Sequence, residues 1–175
     1  MRYPAEETAA RHDRIVEEAS RLFRERGFEN VTVAEVMKGA GLTHGAFYAH
    51  FASKEELQAA AIVHGQALSA RRAQKDGTKS QKGSYAERYL SRRHRDNPGD
   101  GCTMAALAQE IARSAPGLKT AFERGFEEIL GAKGGNRKDA IFQSAALIGG
   151  IVLARAVHDP KLSDEILESV RQKLG

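Results

Sequence analysis

Three helix-start signals packed into the 25 residues from Thr32 to Glu56 constrain this chain more than any other feature of its sequence. In Thr32-Val33-Ala34-Glu35 a hydroxyl and a carboxylate three residues apart can each satisfy a backbone amide that the first helical turn leaves unpaired, and Val31 and Val36 are spaced to staple across the cap. The helix begun at Val33 cannot run past Gly39-Ala40-Gly41. Thr43 then caps a new helix, with Leu42 and Phe47 again spaced as a staple. Ser53-Lys54-Glu55-Glu56 is another capping box and opens a long helix with Leu57, Ala60, Ala61, His64 and Leu68 on one stripe. Upstream, His12, Ile15, Val16, Ala19, Leu22 and Phe23 recur at the helical period, predicting a first helix from near Glu6 to a stop at Gly27.

The rest of the chain continues in helices. Arg71–Ser84, rich in Lys, Arg, Gly and Ser, is expected to be the end of the long helix and a loop. Tyr85–Arg95 is expected as one polar helix, broken by Asn97-Pro98-Gly99. Met104, Leu107, Ala108 and Ile111 mark another, and Pro116 suits the first turn of the next, whose core face is Leu118, Phe122, Phe126, Ile129 and Leu130. After a loop at Gly134-Gly135-Asn136, residues 140–157 are apolar nearly all round. Gln143, Ser144, Arg155 and the Gly149-Gly150 pair argue against a membrane span and for a helix buried on two sides, by its own core and by a partner. A last amphipathic helix, expected to be capped by Ser163, carries Ile166, Leu167, Val170 and Leu174. With no Trp and four Pro in 175 residues, and with Ala, Leu, Glu and Arg abundant, the propensities favour an all-α fold and argue against a β-sandwich or a disordered chain.

Charge and cysteine narrow the function classes. The net charge of +4 is carried by the middle of the chain: residues 1–57 hold 8 Lys/Arg against 10 Asp/Glu, residues 58–100 hold 9 against 4, and residues 101–175 hold 10 against 9. Inside the acidic first segment, however, residues 36–54 contain no acid at all and carry Lys38, Lys54, His44 and His50. Such a window suits an anionic partner. The single cysteine, Cys102, can form neither an internal disulfide nor a Cys-based metal site. It fits a reducing compartment, and a start at Met1-Arg2-Tyr3-Pro4 that runs into charged residues gives the expectation of a cytoplasmic chain. No metal and no cofactor are expected: there is no Gly-rich phosphate loop, no paired-His motif and no nucleophile elbow, so the chain is not expected to be an enzyme.

On the predicted helix from His44, Phe47 and Phe51 lie on the core side, while His44, Gly45, Tyr48 and Ala49 share the opposite face. That face offers an imidazole, a phenol and a missing side chain. Helix, tight Gly turn, helix is the helix-turn-helix layout, in which the second helix enters the DNA major groove. Thr32 and Thr43 would place caps near phosphates, and Tyr48, His50 and Lys54 would reach the backbone from the flanks. Here the sequence resembles a family: Phe23–Leu57, and above all Thr32–Leu57 with its Gly39-Ala40-Gly41 turn, Phe47-Tyr48-Ala49-His50-Phe51 core and Ser53-Lys54-Glu55 cap, is similar to the N-terminal domain of the tetracycline-repressor family of bacterial regulators. The resemblance implies a three-helix DNA-binding domain at 1–53, joined by a long helix to a helical ligand-binding and dimerisation domain at 54–175. It implies contacts to a double-stranded DNA operator at Thr32, Thr43, His44, Gly45, Tyr48, His50 and Lys54, release by a small-molecule inducer, and a homodimer through the helices at 140–157 and 163–174.

Beyond the first third of the chain the residues alone must speak. Tyr85, Tyr89, Met104, Phe122, Phe126 and Gln143 are candidates to line an inducer pocket, although aromatics and Met at helical spacing are equally core residues. Cys102, following Arg92-Arg93-His94-Arg95 at the start of a helix, is a candidate redox or electrophile sensor or, alternatively, an inert buried thiol. A Cys-dependent helical enzyme and a helical adaptor are the competing classes. The first lacks an identifiable base, and the second leaves the acid-free window unused.

Overall fold

The computed structural model describes residues 5–74, 84–133 and 135–174, which form helices, turns and no strand. In chain order these are α1 (Ala5–Arg26), α2 (Val33–Gly39), a 3-10 helix (His44–Ala49), α3 (Lys54–Gln74), α4 (Tyr85–Tyr89), α5 (Arg92–Asp96), a 3-10 turn (Pro98–Asp100), α6 (Thr103–Ala112), α7 (Pro116–Lys133), α8 (Arg137–Ala156) and α9 (Pro160–Leu174). The all-α expectation holds.

Two apolar cores organise the chain. The first gathers Ile15, Phe23, Val36, Met37, Phe47, Phe51, Leu57 and Ile62 around α1, α2, the 3-10 helix and α3, and extends into Leu107, Ile111 and Leu118 of α6 and α7. The second joins Tyr89, Leu90, Cys102, Met104, Ile129, Leu147, Ile151 and Leu167. The N-terminal elements therefore share their core with the helical body.

Local differences from expectation have local causes. The polar segment 85–95 is two short helices, because Ser91 accepts the His94 N–H at 3.2 Å and so starts a new helix one turn after α4 has ended. The last helix starts at Pro160 rather than at Ser163. Asp159 accepts the Lys161 N–H at 3.0 Å as its cap, and Pro160 occupies the first position, where a missing N–H costs nothing. Ser163 sits buried inside that helix, donating to the Ala154 carbonyl at 2.6 Å. Most of the loop expected over Arg71–Ser84 lies outside the described residues.

Helix α8 is buried along one side only: Ala140, Ser144, Leu147, Gly150, Ile151 and Ala154 face the core, whereas Ile141, Phe142, Val152 and Leu153 are exposed. By length and composition alone it would also span a bilayer. Its buried side and the Arg155 guanidinium, which donates to the carbonyls of His94 and Arg95, tie it into the helical body.

Candidate nucleic-acid interface

The turn between α2 and the 3-10 helix is built by glycine and hydrogen bonds. Gly41 has φ 72°, a conformation that costs a residue with a Cβ more than it costs glycine. The Leu42 N–H donates to the Met37 carbonyl at 2.8 Å and the Gly41 N–H to the Lys38 carbonyl at 3.1 Å. That pair of bonds is the Schellman ending of a helix. Leu42 packs against the core that holds Met37.

At the other end of α2 the capping box is complete. The Glu35 N–H donates to Thr32 Oγ1 at 3.2 Å, while the Thr32 N–H and hydroxyl both donate to Glu35 Oε2 at 2.8 Å. These bonds, led by the one from the Thr32 backbone and joined by Arg26, hold the Glu35 carboxyl down at about 2. Thr32 is thus occupied in fixing the start of α2. Thr43 takes the cap position of the next element but makes no side-chain capping bond, and the six residues that follow wind as a 3-10 helix rather than the expected α-helix.

The faces are nevertheless those the sequence predicts. Phe47 and Phe51 are buried and stack at 5.7 Å, with Phe51 stacked in turn on His12 at 4.7 Å. Thr43, His44, Gly45, Tyr48 and Ala49 are exposed together. Tyr48 is 71% exposed and meets His44 edge-on at 6.4 Å. A Cβ at Gly45 would touch nothing within 4 Å, so the chain's own packing does not require a glycine there.

His50 is half-buried at the edge of this face, 6.1 Å from His12. Burial first, then the neighbouring His12 and Arg11, push its pKa below the usual value. Lys54 is half-buried at the start of α3, and its Nζ donates to the Phe28 carbonyl at 2.7 Å. Ser53 accepts the Glu56 N–H at 3.1 Å, but the Glu56 carboxylate reaches back to the Ala52 N–H, at 2.6 Å, rather than to the cap residue itself.

A second feature lies in the body. A cavity of about 500 Å³ is walled by the end of α3, by α4, by α5 and by the segment leading into α6. Of the sequence candidates, Tyr85, Tyr89 and Cys102 line it. Met104 lies in the second core, Phe122 and Phe126 pack against that core half-buried, and Gln143 is exposed on α8, so the structure does not bring these four to the cavity wall. Cys102 is itself 4% exposed and occupies the cap position of α6.

Residues the sequence reading did not single out shape this wall. The His94 Nδ1–H donates to the Tyr89 carbonyl at 2.7 Å, leaving Nε2 to accept the Cys102 N–H at 3.0 Å. Both bonds require the neutral ring with its proton on Nδ1, and burial pushes the His94 pKa below the usual value. Arg24 on α1 is buried, and its Nε and Nη2 both donate to the Gly99 carbonyl, at 2.9 and 2.6 Å. Desolvation lowers its pKa to about 10. At the far end of α6, Glu110 accepts the Phe28 N–H at 2.7 Å. The cavity wall is thus bonded to the N-terminal elements through Arg24 near one end of α6 and through Glu110 at the other. The only hint of Arg24 in the sequence is its place four residues after Ser20 on the inner stripe of α1, and His94 stands out in the sequence only as part of the basic run before Cys102.

Exposed face, glycine turn and buried aromatic pair together define a helix-turn-helix domain seated on a helical body. Residues 15–61 match the sequence model of the bacterial regulatory proteins, tetR family. Over 48 residues it is 44% identical to the HTH-type transcriptional repressor KstR2 of Mycobacterium tuberculosis, a match covering 27% of this chain and 24% of that protein. Over 57 residues it is 40% identical to the HTH-type transcriptional regulator TtgR of Pseudomonas putida, covering 33% and 27%. The chain thus spans about a quarter of the length of the curated relatives it matches. Among solved structures, the reduced form of E. coli NemR superposes with a TM-score of 0.73 at 20% identity over 94% of this chain and 95% of that one. A TetR-family transcriptional regulator from Cytophaga hutchinsonii superposes with a TM-score of 0.68 at 18% identity over 98% and 96%. At these identities the superpositions establish the fold.

Proposed function

We propose that this chain is a one-component transcriptional repressor that binds a palindromic operator as a homodimer and is released by a small molecule bound in the cavity beside Cys102. The observation that carries the DNA-binding part is the exposed face of His44, Gly45 and Tyr48 on a 3-10 helix locked to the core by Phe47 and Phe51. His44 and Gly45 approach base edges. Thr43, Tyr48, His50 and Lys54 hold phosphates, and Thr32 fixes the start of α2 that lies against the backbone. The domain division at 53/54 then separates the reading head from the sensing and dimerising body. The exposed stripe of α8, with Leu162 of α9, supplies the dimer surface, since a bare apolar face of that kind is an association site.

Release follows from the bonds across the molecule. A ligand that displaces the segment Asn97–Cys102 pulls on Arg24 through the Gly99 carbonyl and on α6, whose Glu110 holds the turn after α1. It also presses on α3, which starts beside the recognition element. Ligand and operator then oppose each other to the extent that the ligand binds the DNA-incompetent arrangement more tightly. Such a regulator works in the cytoplasm, on the chromosome. The test is selection of bound fragments from the source genome followed by footprinting. A two-fold symmetric protected site is expected, and the absence of any enriched site refutes the reading.

A second reading makes Cys102 the trigger, favoured by its place in the cavity wall. A Michael acceptor would add at Sγ, forming the S–C bond as the C=C π bond breaks, with the thiol proton passing to the α-carbon. Release by such an acceptor that is lost in Cys102→Ser supports this reading, and release that persists in Cys102→Ser eliminates it.

A further inference from the structure

We infer that the cavity takes a flat, largely apolar molecule bearing one carboxylate, an inference that rests on the reading of this cavity as the effector site. Its charge is one-sided: Arg72 and Arg93 line it, and Asp100 is the one acid among the described residues of its walls. The wall histidine is neutral, because both its ring nitrogens are committed in the tautomer described above. Arg72 donates to the Asp100 backbone carbonyl, not to its carboxylate, so its charge is not neutralised there. Arg93 is exposed and makes no ion pair among the described residues. A guanidinium offers a planar fork of donors that a carboxylate matches with two parallel bonds.

The floor has a different character. The rings of Tyr85 and Tyr89 lie 5.6 Å apart, and Tyr89 meets the His94 ring edge-on at 4.5 Å. These rings pack on one another and present an aromatic surface on which a flat ligand ring can stack. The Tyr89 hydroxyl is buried without a well-formed hydrogen bond and has the Cys102 side chain beside it; a sulfur is a weaker acceptor than an oxygen, so a ligand oxygen would be the better partner. Burial, and then the neighbouring Cys102, raise the Tyr85 and Tyr89 pKa values, so both phenols remain donors at neutral pH. A ligand with an acceptor oxygen toward Tyr89 and an anion toward Arg72 and Arg93 meets these groups.

The test is calorimetric titration of the full chain with 2-naphthoate, 2-naphthamide and 2-naphthylmethylamine, in wild type, Arg93→Gln and Tyr89→Phe. Naphthoate should saturate at one per protomer, about tenfold or more tighter than the amide, with the amine weakest. Arg93→Gln should weaken the acid by about fivefold or more while leaving the amide unchanged, and Tyr89→Phe should weaken both. An amide or amine that binds as well as the acid overturns the anion assignment and leaves the cavity as a ligand site. Acid binding that neither variant alters, or no binding by any of the three, overturns the inference outright. Acid that binds as expected without changing operator affinity in a parallel titration sinks the effector reading instead.

Discussion

Replacing Gly45 by alanine separates what the chain needs from what DNA needs. The added Cβ meets nothing within 4 Å, and Gly45 is not among the positive-φ glycines. The substitution therefore introduces neither clash nor backbone strain. Loss of glycine's freedom in the unfolded chain should leave stability unchanged or raise it by up to about 1 kcal/mol. For a chain of this length that is a rise in Tm of about 0–4 °C. If Gly45 takes the role proposed above, the same methyl on DNA occupies the space through which the backbone approaches the groove. Losing one close contact there costs about 1–3 kcal/mol, or about 5- to 150-fold in affinity. Thermal unfolding and fluorescence anisotropy on the selected operator, run on the same preparations, read both quantities. Gly45→Ala binding the operator as wild type does would refute the close approach. A fall in Tm would refute the open face.

Arg24→Met keeps the aliphatic stem and removes two donations to the Gly99 carbonyl. Hydrogen bonds to charged groups contribute about 1.5–3 kcal/mol each, and relief of guanidinium desolvation offsets part of that. A Tm lowered by about 2–8 °C and faster amide hydrogen exchange over Gly99–Cys102 are expected, and unchanged exchange there removes Arg24 as the link between cavity and α1. Gly149→Glu adds a charge where a Cβ finds only open space; sedimentation should show a folded monomer that has lost tight operator binding, and a dimer that survives the substitution places the interface elsewhere. His94, His50 and His64 all have pKa values held below the ordinary 6.5, each chiefly by burial. The unfolded chain therefore takes up protons first as pH falls through 6.5, and stability, complete above that value, should decline toward pH 5. Denaturant midpoints that are flat or rising from pH 7 to 5 contradict this, and His94→Gln should reduce the decline without abolishing it.

The helix-turn-helix segment was legible because its signals are short-range. A capping box spans four residues and a Schellman turn six, so Thr32, Glu35, Gly41 and Ser53 declare their roles whatever surrounds them. Where an element is short, periodicity is weakest: the six residues from His44 sort correctly into faces, yet wind as a 3-10 helix. The cavity was only partly legible because four separate segments wall it. Of the residues picked by type and helical spacing, Tyr85, Tyr89 and Cys102 line the cavity while Met104, Phe122, Phe126 and Gln143 lie elsewhere, since spacing tells which side of a helix is apolar and not which side meets a void. His94 shows the limit more sharply. Its neutral state depends on a carbonyl five residues before it and an amide eight residues after it, and neither can be inferred from the basic run in which it sits.

The central claim is that this chain reads a DNA sequence through the face that carries His44, Gly45 and Tyr48. It is tested most directly by the ratio of dissociation constants for the selected operator and a scrambled duplex at physiological salt. Specific recognition predicts operator binding about 10³-fold or more tighter than scrambled DNA. A ratio near one, with all binding lost as salt is raised, would leave only the phosphate attraction of a basic protein and contradict the account.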